Sequence, residues 1–547
     1  MSTTTSDDER TTDADADAVP SGTQNADTQA AKHAPYSSRG APPMPPPEID
    51  LLKTRTKRVL ACVACATCMV LASPDQNLWW LGFIGWIPWL AMMEGAKPKT
   101  AFWYGWLTGI ITVFWGFIWL TELLTRFAGF TGAPAYGIHL LFAAAQGLQW
   151  AIPAALIVWL RRRTGRDVLL LAPLCWVAGE ALLPHVFPSY LALMWCFQPL
   201  WLQTAEIGGV TTIGLVQLLI NAGLYVVLRD RILGRPFNRR AAMVFGATMV
   251  AAPSYGAIRM KMIDSQIDAA PKVNFGVVQG NFGITQWGHP RWRPRILKNL
   301  QTKSAELELE GADILLWGET AYPYSRALAR ENGKDLASNN HRRVRRAFTK
   351  PLIFGIVTQG RADKYPFNSA TVLHEDGTLG EIYDKVFPLY FGEYVPLVEP
   401  DWYLDMVPAA SYINPGSEPV ALSEGDYRFG PLICYEDILP RFARDVANTG
   451  IHAFVNLTND SWFGQSKEQH QHMGLAVLRA IENRRGVLRS VNAGTSVYID
   501  PNGRVVHETP VTNPDVDGIQ EPDGFIATVP MMDPESKTLY TRTGELF

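Results

Sequence analysis

The sequence predicts an α-helical polytopic membrane domain followed by an α/β layered domain. Three observations carry that expectation. Residues 51–260 are dense in Leu, Ile, Val, Ala, Phe and Trp, with their charges in clusters, whereas residues 261–547 have the mixed pattern of a water-soluble fold. Arg and Lys clusters recur at every second gap between the apolar runs of the first half. In the second half, short strand-like runs alternate with amphipathic stretches. At 547 residues the chain is too long for one ordinary domain. Its net charge of −3 is small and argues against a nucleic-acid partner.

Residues 1–50 are polar, acidic and of low complexity (TTTSDDERTTDADADA, then APPMPPPEID), so they are expected to be disordered. They do not read as a signal peptide, because the first apolar run starts only near residue 59 and would act as an uncleaved anchor. Seven candidate spans follow, at about 57–74, 77–94, 101–121, 136–160, 168–185, 207–228 and 240–258. Each is near the length a hydrocarbon core of roughly 30 Å requires.

The positive charges orient them. Lys53, Arg55, Lys57 and Arg58 precede the first span, and Lys97 and Lys99 follow the second. Arg161, Arg162, Arg163 and Arg166 follow the fourth, and Arg229, Arg231, Arg235, Arg239 and Arg240 follow the sixth. The alternate gaps hold only Arg126. The N-terminus is therefore expected in the cytoplasm and everything after residue 260 outside. Glu180, the main ionisable residue within a span, is expected at an interface near that span's end. Cys62, Cys65 and Cys68 lie three apart in RVLACVACATCMV with no His or acid beside them. They read as small residues on one face of a membrane helix rather than as metal ligands.

In the second half VNFGVVQG, DILLWGE, LIFGIVTQ, ATVLHE, EIYDKV, GPLICYE, HAFVNLTN, VLRSVN and SVYIDP read as strands. Asp376-Gly377 and Asn502-Gly503 mark hairpins. RILKNLQTKSAELELEG, SNNHRRVRRAFTK, LPRFARDVANT and HMGLAVLRAIENRRG read as helices.

Three reactive side chains stand just beyond strand-like runs: Glu319 after ADILLWG, Lys385 after GEIYD and Cys434 after GPLI. Strand ends are well placed to converge at one sheet edge. A thiol needs a base to become a thiolate, and a buried carboxylate can be that base. An ammonium can stabilise the oxyanion formed when the thiolate attacks a carbonyl. Taken singly, each residue has a structural explanation: a buried small thiol, an acid near a helix start, a solvated lysine. Cys434 departs from that background, because it is the only cysteine after residue 196, in a domain expected outside the cytoplasm where thiols tend to pair. The three residues together suit acyl transfer through a thioester.

WGETAYPY, YDKVFPLYFGEYVPL, GPLICYEDILP and NLTNDSWFG occur in an order and spacing that resemble the nitrilase superfamily and its Glu–Lys–Cys triad. Within it, FGEYVP, ICYE, NDSWFG and the GVTTIGLVQLLIN pattern of the sixth span are similar to the apolipoprotein N-acyltransferases of the bacterial inner membrane. That resemblance covers about residues 55–547. It implies an αββα sandwich for 261–547, no cofactor and no metal. It implies that Glu319 deprotonates Cys434, which takes the sn-1 acyl chain of a phospholipid, typically phosphatidylethanolamine, while Lys385 stabilises the tetrahedral intermediates. The thioester then acylates the α-amine of the diacylglyceryl-cysteine of an apolipoprotein, the last step of bacterial lipoprotein maturation. Glu393 is implied to support the site, Tyr435 and Glu436 to follow the nucleophile as in the family, and Trp287 to stand near a lipid entrance. Trp462 is implied to sit on a mobile loop over the site; for both tryptophans, interfacial anchoring is the alternative role.

Two features depart from the family pattern. Gly318 stands where the family usually has Pro, and only a local change is expected. The family typically continues past TRTGELF into a final membrane helix, whereas this sequence ends at Phe547; lack of that anchor is expected to loosen the domain's hold on the membrane. The alternative function is a membrane-tethered nitrilase-type amidase or hydrolase using the same triad. A transporter would show more polar or broken spans.

Overall fold

The computed structural model of the chain describes residues 50–324, 330, 333–395, 398–407, 411–464, 466–512, 514–517 and 520–545. The acidic tail expected over 1–50 lies, apart from Asp50, outside the described residues, as do Leu546 and Phe547.

Helices occupy the stretches expected to span, but unevenly. Arg55–Ala72, Pro98–Gly116, Val210–Ile232 and Arg239–Ala269 are continuous. Ala133–Gln146 and Leu148–Thr164 follow in line. The stretch 77–94 instead forms a 3-10 turn, Trp79–Phe83, and a short helix, Ile87–Met93. Val168–Leu182 is only 15 residues long and stops short of Pro184. Three helices among the described residues, Ala133–Thr164, Val210–Ile232 and Arg239–Ala269, are long and apolar enough to cross a bilayer. Pro98–Gly116 with Trp119–Arg126, a pair bent by 58°, makes a fourth if counted as one span.

Inside the bundle Trp86 stacks on Trp150 with ring centroids 4.8 Å apart and meets Trp89 and Trp176 edge-on. Cys62 and Cys65 face this core. Outside it, Leu141, Leu182, Met243 and Val250 are exposed, a surface suited to lipid rather than water. Glu180 lies at an end of its helix, where its carboxylate accepts the Leu191 N–H and starts the turn Leu191–Trp195.

The Arg239–Ala269 helix runs on past residue 260, and only Ala270 and Pro271 separate it from the first strand. Twelve strands follow among the described residues: β1 (Lys272–Gln279), β2 (Ile314–Trp317), β3 (Leu352–Thr358), β4 (Phe367–Leu373), β5 (Leu379–Asp384), β6 (Leu422–Glu424), β7 (Tyr427–Ile433), β8 (Ala453–Thr458), β9 (Gly486–Val491), β10 (Val497–Ile499), β11 (Val505–Glu508) and β12 (Asp523–Pro530). They form two six-stranded sheets, ordered β12-β1-β2-β3-β4-β5 and β11-β10-β9-β8-β7-β6. The inner strands β1, β2 and β3 run parallel, as do β7, β8 and β9. Both predicted hairpins form, with Gly377 and Gly503 at positive φ in their turns.

Side-chain alternation divides each strand between two layers. Val273, Phe275 and Val277 of β1 face the second sheet, where Phe275 meets Phe429 edge-on. Val278, Leu315, Trp317 and Phe354 face the opposite way and pack under Ile296, Leu297 and Leu300 of the Arg293–Leu309 helix. Helices Pro440–Asn448 and Glu468–Asn483 cover the other side of the second sheet. The result is the expected αββα sandwich. Glu468–Asn483 is buried on nearly every face, because its far side packs against the helical bundle. A Cβ on Gly474 would lie 2.7 Å from Cys196 Sγ.

One predicted element is absent. SNNHRRVRRAFTK forms no helix, because side chains satisfy its backbone in another conformation. The Asp335 carboxylate accepts the Val344 and Arg345 N–H groups, and Gln301 donates to the Arg343 and Val344 carbonyls. Ala347 at φ 65° breaks any helical run. Two strands, the three-residue β6 and the eight-residue β12, are not apparent as strands in the sequence pattern.

Candidate active site

Glu319, Lys385 and Cys434 follow β2, β5 and β7 respectively, at one edge of the two sheets. Lys385 Nζ lies 3.2 Å from Glu319 Oε1 and 2.7 Å from Glu393 Oε2. Asn368 of β4 donates to both carboxylates, at 2.7 Å to Glu319 and 3.2 Å to Glu393. The Leu389 N–H donates to Glu393 at 2.8 Å. Glu393 is thus held by three donors and gives Lys385 a second carboxylate partner besides Glu319.

Cys434 is half-buried at the head of a 3-10 turn, Cys434–Ile438, with φ 50°. That left-handed conformation costs a non-glycine residue about 1 kcal/mol or more and must be held by its surroundings. Glu436 does the holding. One carboxylate oxygen accepts from Ile433 N at 2.7 Å, and the other from Tyr383 Oη, Val386 N and Phe387 N at 2.6, 2.7 and 3.1 Å. It ties the strand entering Cys434 to the segment just after Lys385. Tyr435 donates its hydroxyl to the Val186 carbonyl at 2.6 Å, which anchors the other side of the nucleophile turn to the helical bundle.

The electrostatics follow from burial. Burial raises the Glu319 carboxyl above the ordinary range, with Lys385 pulling it back and Glu393 pushing with burial. Burial alone would lower Lys385, but Glu319 and Glu393 outweigh it and hold the ammonium charged. Burial and then Glu319 push the Cys434 thiol up, against Lys385. The resting thiol is thus biased towards its protonated form, and the nearby Glu319 carboxyl is biased the same way.

Beneath the nucleophile turn lies a second polar group that the sequence reading missed. His472 donates to Asp437 at 2.7 Å and to Asp460 at 3.2 Å. Arg489 pairs with the same two carboxylates, at 2.5 and 2.8 Å. Burial and Arg489 act to lower His472, yet Asp437 and Asp460 hold it at about 10. Two cations thus balance two anions, as burial demands. Asp460, Glu468 and His472 have the mutual spacing of a cation site. Asp460 already pairs with Arg489 and both His472 nitrogens are engaged, so the set does not fit a metal.

A narrow cleft, lined mostly by apolar side chains, opens beside Cys434. The bundle side contributes Phe117, Trp119, Phe187 and Leu193; the sandwich contributes Leu389, Tyr435, Ile438, Phe463 and Leu475, with Glu468, Gln471 and His472 on one wall. Trp119 Nε1 donates to Gln471 Oε1 at 3.0 Å, which fixes the ring.

The two tryptophans singled out in the sequence stand apart from the triad. Trp287, in the short helix Ile284–Trp287, donates to the Thr320 carbonyl at 3.2 Å, one residue beyond Glu319. Trp462 lies in the 3-10 turn Asp460–Phe463 and packs with Phe463 into an aromatic cluster with Val113, Phe117 and Trp119. Asn368 carried one usable sequence signal: a polar pair, Asn368-Ser369, inside an apolar strand.

Residues 65–223 match the family model described as apolipoprotein N-acyltransferase N-terminal domain, and residues 277–516 match carbon-nitrogen hydrolase. The apolipoprotein N-acyltransferase of Bdellovibrio bacteriovorus is 29% identical over 444 residues, covering 76% of this chain and 79% of that protein. That of Geobacter metallireducens is 26% identical over 478 residues, covering 85% and 89%. Among solved structures, an amidase from Nesterenkonia sp. is 18% identical with a TM-score of 0.35, covering 48% of this chain and 93% of its own. The two matched models in tandem, and relatives aligned through most of both halves, identify this membrane protein as belonging to the apolipoprotein N-acyltransferase family, with a carbon-nitrogen hydrolase domain that contains Glu319, Lys385 and Cys434.

Proposed function

We propose that this enzyme N-acylates the N-terminal diacylglyceryl-cysteine of apolipoproteins with an acyl chain from a phospholipid, through a thioester on Cys434. The observation that carries the reading is the cavity at Cys434, whose apolar wall comes partly from the helical bundle. An acyl chain drawn from a bilayer suits such an apolar wall. Holding it at the membrane avoids moving the chain through water, at ~0.8 kcal/mol per methylene. An amidase acting on small polar amides with the same triad has no use for the slot.

In the first half-reaction Glu319 takes the Cys434 proton as sulfur bonds to the ester carbonyl carbon. Lys385 faces the oxyanion. The carbon–oxygen bond to glycerol then breaks, Glu319 returns its proton to that oxygen, and lysophospholipid leaves. In the second, the lipoprotein amine bonds to the thioester carbon, Glu319 takes the amine proton, and the Cys434 thiolate departs and is reprotonated. Glu393 keeps Lys385 in place throughout, and Glu436 and Tyr435 hold the nucleophile turn. Trp287, bonded to the Thr320 carbonyl, and Trp462, packed with the Phe117 and Trp119 cluster, are assigned positioning or anchoring roles.

The reading places residues 1–50 as a cytoplasmic tail, 51–260 as the membrane domain and 261–547 as the catalytic domain on the external face of the bacterial inner membrane. It rests on the alternation of Arg and Lys clusters along the first half. Phosphatidylethanolamine is the proposed donor.

The test is trapping. Wild type and Cys434→Ala are incubated with phospholipid labelled in the sn-1 chain, and hydroxylamine-sensitive label on the protein is read. Label on wild type alone, discharged by a diacylated lipopeptide, is the expected result. Wild type that stays unlabelled while hydrolysing amides would replace this reading with the amidase.

A further inference from the structure

Glu468 opens the Glu468–Asn483 helix and is 6% exposed. It lines the cavity that also holds Cys434, Phe117 and Trp119. One carboxyl oxygen lies 3.5 Å from His472 Nδ1. The other, Oε2, has no hydrogen-bond partner among the described residues. The charges around it are already balanced without it, since His472 and Arg489 face Asp437 and Asp460. An ionised Glu468 would leave an uncompensated charge on an apolar wall. Burial and the Asp460 carboxylate instead push its carboxyl well up, against His472 and Arg489, so it keeps its proton. The wall of the cavity therefore includes a protonated carboxyl, nine-tenths buried, with one oxygen left over, where a buried polar group ordinarily finds a partner. The acceptors that a phospholipid brings to Cys434 are the carbonyl oxygens of its esters.

We propose that Glu468 binds the acyl donor: its carboxyl donates a hydrogen bond to an ester carbonyl oxygen of the phospholipid beside Cys434, setting affinity for the lipid rather than the rate of acyl transfer. This deepens the acyltransferase reading above and rests on it. None of the mechanism's proton transfers passes through Glu468, so its removal leaves the chemistry intact.

The experiment measures thioester formation in wild type, Glu468→Leu and Glu468→Gln at graded concentrations of sn-1-labelled phosphatidylethanolamine in mixed micelles. Glu468→Leu is expected to raise the half-saturating lipid concentration about tenfold, the worth of one hydrogen bond, with the saturated rate within about twofold of wild type. Glu468→Gln keeps an N–H donor and is expected to restore most of that loss. The melting temperature of Glu468→Leu is expected to be no lower than that of wild type, because the lost bond is one the lipid-free fold does not make. An unchanged half-saturation in Glu468→Leu overturns the proposal. So does a fall in saturated rate together with melting temperature, which marks a structural role, or a Glu468→Gln variant as impaired as Glu468→Leu. If wild type takes no label at any lipid concentration, the acyltransferase reading itself fails, and this proposal with it.

Discussion

Glu393 bears on the chemistry without being part of the triad. Its carboxylate is shared between Lys385, Asn368 and the Leu389 N–H, so truncation leaves a buried ammonium with one counter-charge instead of two. Glu393→Ala is expected to slow both half-reactions by about 100-fold, the scale of losing a positioned acid–base or oxyanion group. Single-turnover acylation and deacylation, measured separately, check whether the two fall together. Glu436→Gln tests the nucleophile turn. The amide supplies an N–H where the carboxylate accepts from four donors, so at least one buried N–H or O–H loses its acceptor. A cost of about 1–3 kcal/mol is expected, read as a lower melting temperature. His472 predicts a pH dependence of stability. Its folded pKa of about 10 lies above the ordinary 6.5, so the stabilisation it brings is fully present below pH 6.5 and is lost as pH rises through about 10. Melting curves at pH 7 and pH 10 should differ more for wild type than for His472→Gln.

At the scale of elements, the sequence revealed what is local. The runs ending at Glu319, Lys385 and Cys434 carry their own strand pattern, and Gly377 and Gly503 carry their own turns, so these could be read directly. β12 could not: DGFIATVP has little alternation, and what makes it a strand is pairing with β1, some 250 residues earlier in the chain. SNNHRRVRRAFTK failed in the opposite sense, since its helical propensity lost to Asp335 and Gln301, whose positions no local pattern reveals. The same limit hid Asp437, Asp460, His472 and Arg489, which meet only once β8, β9 and the Glu468–Asn483 helix are stacked. That helix gives the element-level prediction. A side chain at Gly474 would strike Cys196, so Gly474→Leu should force the sandwich and the bundle apart at this contact. Phospholipid-supported acylation should fall more than hydrolysis of a short soluble ester, measured on the same preparation.

For the whole molecule, the proposed active site belongs to neither half alone. The triad comes from strand ends of the sandwich, and Phe117 and Trp119, which wall the cavity, come from the bundle. No sequence pattern linked Trp119 to Gln471, 352 residues apart, although their hydrogen bond shapes the slot. Trp119→Leu removes the ring and that bond, and is expected to lower the preference for long-chain over short-chain donors about tenfold, measured as a ratio of kcat/KM values.

The burial of Glu468–Asn483 on both sides has a thermodynamic consequence. A helix that is interior to two layers at once cannot let either go without exposing itself. The bundle and the sandwich should therefore melt as one cooperative unit. Scanning calorimetry in detergent is expected to give a single endotherm whose calorimetric and van't Hoff enthalpies agree, where two independently folded halves would give two.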